Sequence, residues 1–168
     1  MAAGATYEPI ATQTLASAAT SITFSSIAAS WTDLRLVFVG TGVASGNLLA
    51  RVNGDSATNY SQTYLQGYGS GTNSGSGTSL TSFIITLAGS GLSTTIPQLY
   101  TIDFFSYAGS TNKTILTTSS EDQNGSGTVV RTVQLWRSTA AITSIVLSNS
   151  GGNLAIGTTA TLYGILKA

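Results

Sequence analysis

Few side chains in this sequence could carry out chemistry, because the chain contains no His and no Cys. Histidine is the most common general base and metal ligand, and cysteine is an intrinsically strong nucleophile. Their absence excludes every catalytic mechanism that depends on either side chain. Two carboxylates facing one cleft suffice for glycoside hydrolysis, which leaves polysaccharide cleavage open as an activity. No two acids have a spacing typical of a site, and we expect a scaffold or binding module, not an enzyme. The acids are Glu8, Asp33, Asp55, Asp103, Glu121 and Asp122.

The segment from Glu121 to Gly125 has part of the spelling of a calcium-binding loop, with two acids, two amides and a glycine. It lacks the further acidic positions and the terminal glutamate of a complete loop. The pattern is more typical of a solvated hairpin turn. We therefore predict no metal site and no cofactor.

Tyr60, Tyr64 and Tyr68 recur at every fourth position. On an extended strand this spacing places Tyr60 and Tyr64 on one face, about 13 Å apart. Two interpretations remain open: a strip that stacks on sugars or contacts a partner, and aromatic cover for the rim of the core, which is the commoner role.

Val129, Arg131, Val133 and Leu135 occupy every second position, so a strand here would put the charge of Arg131 on an apolar face. Asp103 is the other charge embedded in such a strand pattern. A buried charge without a partner is costly. We predict an ion pair between Asp103 and Arg131, within the fold or across a subunit interface.

Charged residues make up only 7% of the chain, with six basic and six acidic side chains. Ordinary globular proteins carry about 25%. Without a basic cluster to neutralise phosphates, nucleic acid is not an expected partner. The apolar runs are broken every few residues by Ser or Thr, so we expect neither a signal peptide nor a membrane-spanning helix. A net charge of zero is compatible with many copies packed side by side.

The elements that must position these residues are short strands separated by Gly, Ser and Asn turns. Polar and apolar residues alternate in about ten segments, such as 20–27 and 33–39, and no helical period lies between them. This predicts an all-β fold, an antiparallel β-sandwich of the jelly-roll kind, in a single domain over residues 1–168. Residues 1–14 are predicted as an edge strand or an N-terminal arm. Residues 67–79, rich in Gly and Ser, are predicted as a flexible surface loop.

Several motifs along the whole chain carry a resemblance to known proteins. The first is Tyr7-Glu8-Pro9-Ile10-Ala11-Thr12. The others are Asp33-Leu34-Arg35-Leu36-Val37, Arg51-Val52-Asn53-Gly54-Asp55, Asp103-Phe104-Phe105-Ser106-Tyr107-Ala108, Leu135-Trp136-Arg137-Ser138 and Ala160-Thr161-Leu162-Tyr163-Gly164-Ile165. Together they are similar to a group of small virion surface proteins of tailed phages, especially cyanophages.

The resemblance implies a β-sandwich subunit on the outside of a phage particle, made in the host cytoplasm, with no cofactor and no catalysis. It implies a capsid cement (decoration) protein that binds the major capsid protein on the outer capsid surface as a homotrimer and stabilises the shell. The alternative is a tail fibre or tailspike tip that binds host surface glycans through its tyrosines and residues 67–79. Copy number separates the two, because cement occupies every lattice point and a tail has few positions.

Overall fold

The computed structural model describes residues 6–86, 91–122, 124–125 and 127–166. Over these residues the chain forms twelve β-strands, and this part of the chain has no helix that is long and apolar enough to cross a membrane. The strands are β1 (Tyr7–Thr14), β2 (Ser21–Phe24), β3 (Asp33–Gly40), β4 (Leu48–Val52), β5 (Tyr60–Tyr68), β6 (Gly71–Leu80), β7 (Phe83–Ile84), β8 (Gln98–Phe105), β9 (Lys113–Glu121), β10 (Thr128–Trp136), β11 (Ile145–Asn149) and β12 (Thr159–Ile165).

The strands form two antiparallel sheets that pack as a sandwich, which confirms the predicted fold class. The large sheet has the order β1-β12-β3-β8-β9-β10-β5-β6, and the small sheet has the order β2-β11-β4-β7. Since the large sheet has eight strands and the small sheet four, the sandwich is strongly asymmetric.

Alternating residues of both sheets meet in one core. Leu34, Leu36 and Phe38 of β3 are fully buried, as is Phe83 of β7 on the opposite sheet. Removing one such side chain from water stabilises a fold by roughly 1.5–3 kcal/mol. The alternation seen in the sequence is therefore the pattern that builds the core.

Positive φ angles occur at two turns that contain an Asn-Gly pair. Asn53 (51°) and Gly54 (67°) follow β4, and Asn124 (57°) and Gly125 (89°) lie between β9 and β10. Asn and Gly tolerate this left-handed backbone better than other residues, which explains their use here.

The N-terminal segment is an edge strand of the large sheet. From Tyr7 to Thr14 it pairs with β12, with a shift in register between Pro9 and Ala11. Of the two interpretations, the edge strand is the one found over residues 7–14, because these residues bond within their own sheet. Residues 1–5 of the predicted arm lie outside the described residues.

The prediction of a flexible loop at residues 67–79 is wrong. β5 continues to Tyr68, and β6 runs from Gly71 to Leu80 as the other edge of the large sheet. Ladder hydrogen bonds to β5 hold this Gly- and Ser-rich segment, and side chains from β5 cover its glycines, as described below.

Candidate functional site

The charged pair of the large sheet joins Asp103 to Arg35 and not to Arg131. Arg35 and Asp103 are direct neighbours on β3 and β8. Arg35 donates from Nε to Oδ1 at 2.5 Å and from Nη2 to Oδ2 at 3.0 Å. These hydrogen bonds to Asp103 raise the pKa of the Arg35 guanidinium. Arg35 also lies over the ring of Tyr7, with 5.6 Å from Cζ to the ring centroid.

The predicted pair between Asp103 and Arg131 is therefore not formed within the sandwich. β9 separates β8 from β10, and Arg131 aligns with Thr118 of β9 and donates to its Oγ1 at 3.2 Å. Asp103 aligns instead with Leu116 of β9, two positions away. A pair between Asp103 and Arg131 across a subunit interface stays a prediction.

Arg131 belongs to a surface that we call the outer face, the side of the large sheet that points away from the small sheet. Six large apolar side chains on this face are at least 42% exposed. Val37, Leu116 and Leu135 lie between them and are half-buried. The six are Leu65 (62%), Val129 (61%), Val133 (51%), Leu99 (45%), Val39 (42%) and Phe105 (42%).

The strand register places these residues side by side across the sheet. Leu99 of β8 is directly opposite Val39 of β3, and Leu65 of β5 is opposite Arg131 of β10. Leu116 of β9 aligns with Val133 on one side and Asp103 on the other. Cross-strand neighbours on one face have Cβ atoms about 5 Å apart, so Leu99 packs beside Val39 and Leu116 beside Val133. Ser, Thr, Asp and Arg side chains occupy positions between these apolar side chains, so the outer face is mixed but rich in exposed apolar side chains.

The outward side of β10 is more apolar than its inward side, although Val130 and Trp136 are also buried. Thr132 and Gln134 are buried, whereas Val129 and Val133 are exposed. Gln134 Nε2 donates to the carbonyl oxygen of Ile84 at 2.6 Å. The sequence pattern predicts an apolar side at Val129, Val133 and Leu135 that is buried in the sandwich or at a subunit interface, and within the sandwich this side points outward.

The buried polar side chains of β9 and β10 are incompletely hydrogen-bonded. Within the described residues, Thr117 Oγ1, Thr132 Oγ1 and Gln134 Oε1 have no hydrogen-bond partner. The sheet keeps the register that buries these polar side chains although three of their atoms lack a hydrogen-bond partner. Trp136 at the end of β10 favours the register, since its indole is buried and Nε1 donates to Asp55 Oδ2 at 2.7 Å.

The three predicted contact tyrosines share one side of β5, but this side is the inward one. Tyr60 is fully buried, meets Phe83 edge to face with ring centroids 4.8 Å apart, and donates to the carbonyl oxygen of Asp55 at 2.9 Å. Burial raises the pKa of Tyr60 to about 12. Tyr60 is thus a core residue. Tyr64 is half-buried, and Tyr68 is 48% exposed.

Tyr64 and Tyr68 explain why a glycine-rich segment forms an edge strand. A Cβ at position 75 would lie 2.6 Å from the Tyr64 hydroxyl oxygen, and a Cβ at position 71 would lie 3.0–3.3 Å from the Tyr68 ring and hydroxyl. Aromatic side chains that lie over glycines of a neighbouring strand compensate for the missing side chains. The spacing of tyrosines on β5 and of glycines on β6 is one packing pattern.

A groove of about 520 Å³ lies between the β5–β6 turn and the β9–β10 turn. Tyr68, Gly71 and Val129 line it together with the acids Glu121 and Asp122. Gln98 Nε2 donates to Glu121 Oε2, and the amide of Gly125 donates to Asp122 Oδ1 at 3.0 Å. No group of three or more His, Cys, Asp or Glu side chains within the described ranges could hold a metal ion.

No family model, no curated protein and no solved structure matches this chain. The outer face and the groove are therefore interpreted from their own geometry and chemistry.

Proposed function

We propose that this chain is a structural protein on the outside of a tailed-phage particle, a capsid cement protein that binds the major capsid protein and stabilises the shell. The observation that carries the proposal is the outer face, where six large apolar side chains lie exposed on one side of one sheet. The sequence resemblance to small phage virion proteins supplies the kind of assembly.

The size of the outer face is sufficient for a contact surface in an assembly. Its five central strands are β3, β8, β9, β10 and β5. At about 4.8 Å between strands and four outward side chains about 6.8 Å apart along each strand, they cover about 650 Å². Nine of these twenty outward side chains are apolar, so the apolar part of the face covers about 300 Å². This is within the range of about 300–600 Å² for the largest apolar patch on a typical monomeric protein, a patch that often has a function.

The charge of the chain also suits a dense coat. Six basic and six acidic residues cancel, so neighbouring copies repel one another little over long distances. A coat subunit that contacts several capsid subunits binds more tightly through multivalency, because each further contact forms after the subunit is already attached to the capsid. Summed over the lattice, such contacts oppose the outward pressure of packaged DNA.

The test compares phage particles that carry the protein with particles of the same phage from which its gene has been deleted. Both are heated in parallel while a DNA-binding dye reports DNA release. We expect the particles without the protein to release DNA at a lower temperature, and purified protein added back to restore the original temperature. Identical release temperatures for all three samples would contradict the proposal.

A second candidate function is glycan binding by a tail fibre or tailspike tip, and the groove favours it. The exposed ring of Tyr68 offers a stacking surface for a sugar, and the carboxylates of Glu121 and Asp122 offer acceptors for sugar hydroxyls. Saturation-transfer NMR with host surface glycans tests it with Tyr68→Ala. Tyr7→Ala is the matched control, because Tyr7 is 44% exposed at the opposite edge of the sheet. Saturation transfer that Tyr68→Ala leaves unchanged would exclude the groove.

A further inference from the structure

We propose that the outer face is the docking surface for a second copy of this chain. In this association the outer face of the large sheet of one copy is buried against the other copy. The proposal concerns the free protein in solution. Because the outer face also carries the proposed capsid contact, a second copy and the capsid protein would compete for it.

The first argument is the direction in which β10 presents its residues. A strand with one side in the core and one side in water normally points its apolar residues inward. β10 does the opposite at Val129, Thr132, Val133 and Gln134. An outward side that is more apolar than the buried side is best explained by a second burial partner, and the rest of the described chain does not cover it, since Val129 and Val133 are 61% and 51% exposed.

The second argument is area. A stable protein interface of standard size buries about 800 Å² on each partner. The five central strands offer about 650 Å² by the spacing of strands and residues. The outer face therefore supplies most of one side of such an interface without any rearrangement of the fold.

The third argument is charge, which selects the occupant. On the five central strands the outer face carries two acids, Asp33 and Asp103, and two arginines, Arg35 and Arg131. A face with equal numbers of both signs is compatible with a copy of itself. A strongly charged partner would instead place its charges over Leu and Val side chains, where they would lose hydration without gaining partners.

The fourth argument is shape. The face of a sheet is broad, and two such faces pack about 10 Å apart with their strands aligned to within about 30°. A second copy provides a face of matching width and twist. Homo-oligomers bury such surfaces by symmetry, so that both copies lose their exposed apolar area in one association.

Sedimentation velocity of the purified chain across a range of concentrations tests the proposal. Val133→Glu and Val129→Glu place a charge on the outer face at positions that are solvated in the single copy. Val43→Glu and Ile156→Glu are matched controls, because these side chains are 58% and 68% exposed in loops outside both sheets. We expect the unmodified chain and both controls to self-associate, and the two face variants to bind at least about tenfold more weakly.

A chain that sediments as a single copy at all concentrations would overturn the proposal. The proposal would also be overturned if the face variants and the control variants weakened self-association equally. Since no capsid is present, failure here is distinguishable from failure of the cement function, and particles that lose DNA early without the protein would still support that function.

A labelling experiment gives a readout that does not depend on the stability of a charged variant. The chain has no cysteine, so Val133→Cys and Ile156→Cys each create a unique site for a spin label. We expect pulsed electron paramagnetic resonance to report a defined distance between copies labelled at position 133 that is shorter than the distance for labels at position 156. Shorter distances at position 156 than at position 133 would contradict the proposal.

Discussion

Replacing Asp103 with Asn should cost stability through Arg35 and not through Arg131. Asp103 receives two hydrogen bonds from Arg35, and the side chains are 14% and 38% exposed, respectively. Fully exposed ion pairs contribute about 0.2–1 kcal/mol, whereas hydrogen bonds to charged groups reach about 1.5–3 kcal/mol. The pair is bidentate and partly shielded from water, so we expect a coupling free energy of about 1 kcal/mol between Arg35 and Asp103.

Two double-mutant cycles measure this coupling. One combines Asp103→Asn with Arg35→Gln, and the other combines it with Arg131→Gln. Each variant is unfolded with urea at a protein concentration low enough to keep the chain a single copy, because self-association would add its own stabilisation. The first cycle should give about 1 kcal/mol and the second less than about 0.3 kcal/mol, as for sites without a shared partner. The opposite ranking would refute the assignment of the pair.

Three further predictions concern the packing and the turns. Gly164→Ala should destabilise the fold by about 1–3 kcal/mol, because a Cβ there would lie 2.3 Å from the ring of Trp31. Gly67→Ala is the control and should cost less, because a Cβ there meets nothing within 4 Å. Urea unfolding compares the two variants, and equal losses of unfolding free energy would contradict the packing argument. Hydrogen bonds from Asn59 and Trp136 hold the pKa of Asp55 below its ordinary value of 3.8. Its contribution to stability is therefore present above pH 3.8 and is lost as the pH falls through the lowered pKa, so Asp55→Asn should flatten the acid limb of the stability profile, and an unchanged limb would contradict this. Lys113→Met should lower the free energy of unfolding by about 1–3 kcal/mol, because the fully buried Lys113 Nζ donates to backbone carbonyl oxygens, including that of Gly109 at 2.7 Å. Urea unfolding measures the loss, and unchanged stability would contradict this role of the amine.

The fold class could be predicted from the sequence because its signals are local. Alternation with a period of two at Leu34, Leu36 and Phe38 marks a strand, and Asn-Gly pairs such as Asn53-Gly54 mark the turns. These patterns specify strands and antiparallel connections. They do not specify strand order, which depends on contacts between residues far apart in sequence.

The glycine-rich β6 could not be predicted from its own residues. Gly75 lacks a side chain to signal a strand, and its conformation is favoured by Tyr64 on the neighbouring strand. The signal is the shared spacing of the tyrosines and glycines, and it can be interpreted only once β5 and β6 are known to pair.

The partner of Asp103 within the sandwich and the direction of the apolar side of β10 could not be predicted for a related reason. Alternation identifies the two sides of β10 but not which side faces the core, and the more apolar side is the exposed one. Asp103 was assigned to Arg131 because both charges were expected to be buried. Arg35 in the strand pattern of residues 33–39 was an available signal for the partner that Asp103 has.

The most direct test of the proposed role is the copy number of this chain relative to the major capsid protein in purified particles, measured by quantitative mass spectrometry. A cement protein must be present at every lattice point, so the account predicts hundreds of copies in each particle. A few to a few dozen copies would contradict the capsid role, place the protein in the tail and make the glycan groove at Tyr68 the leading site.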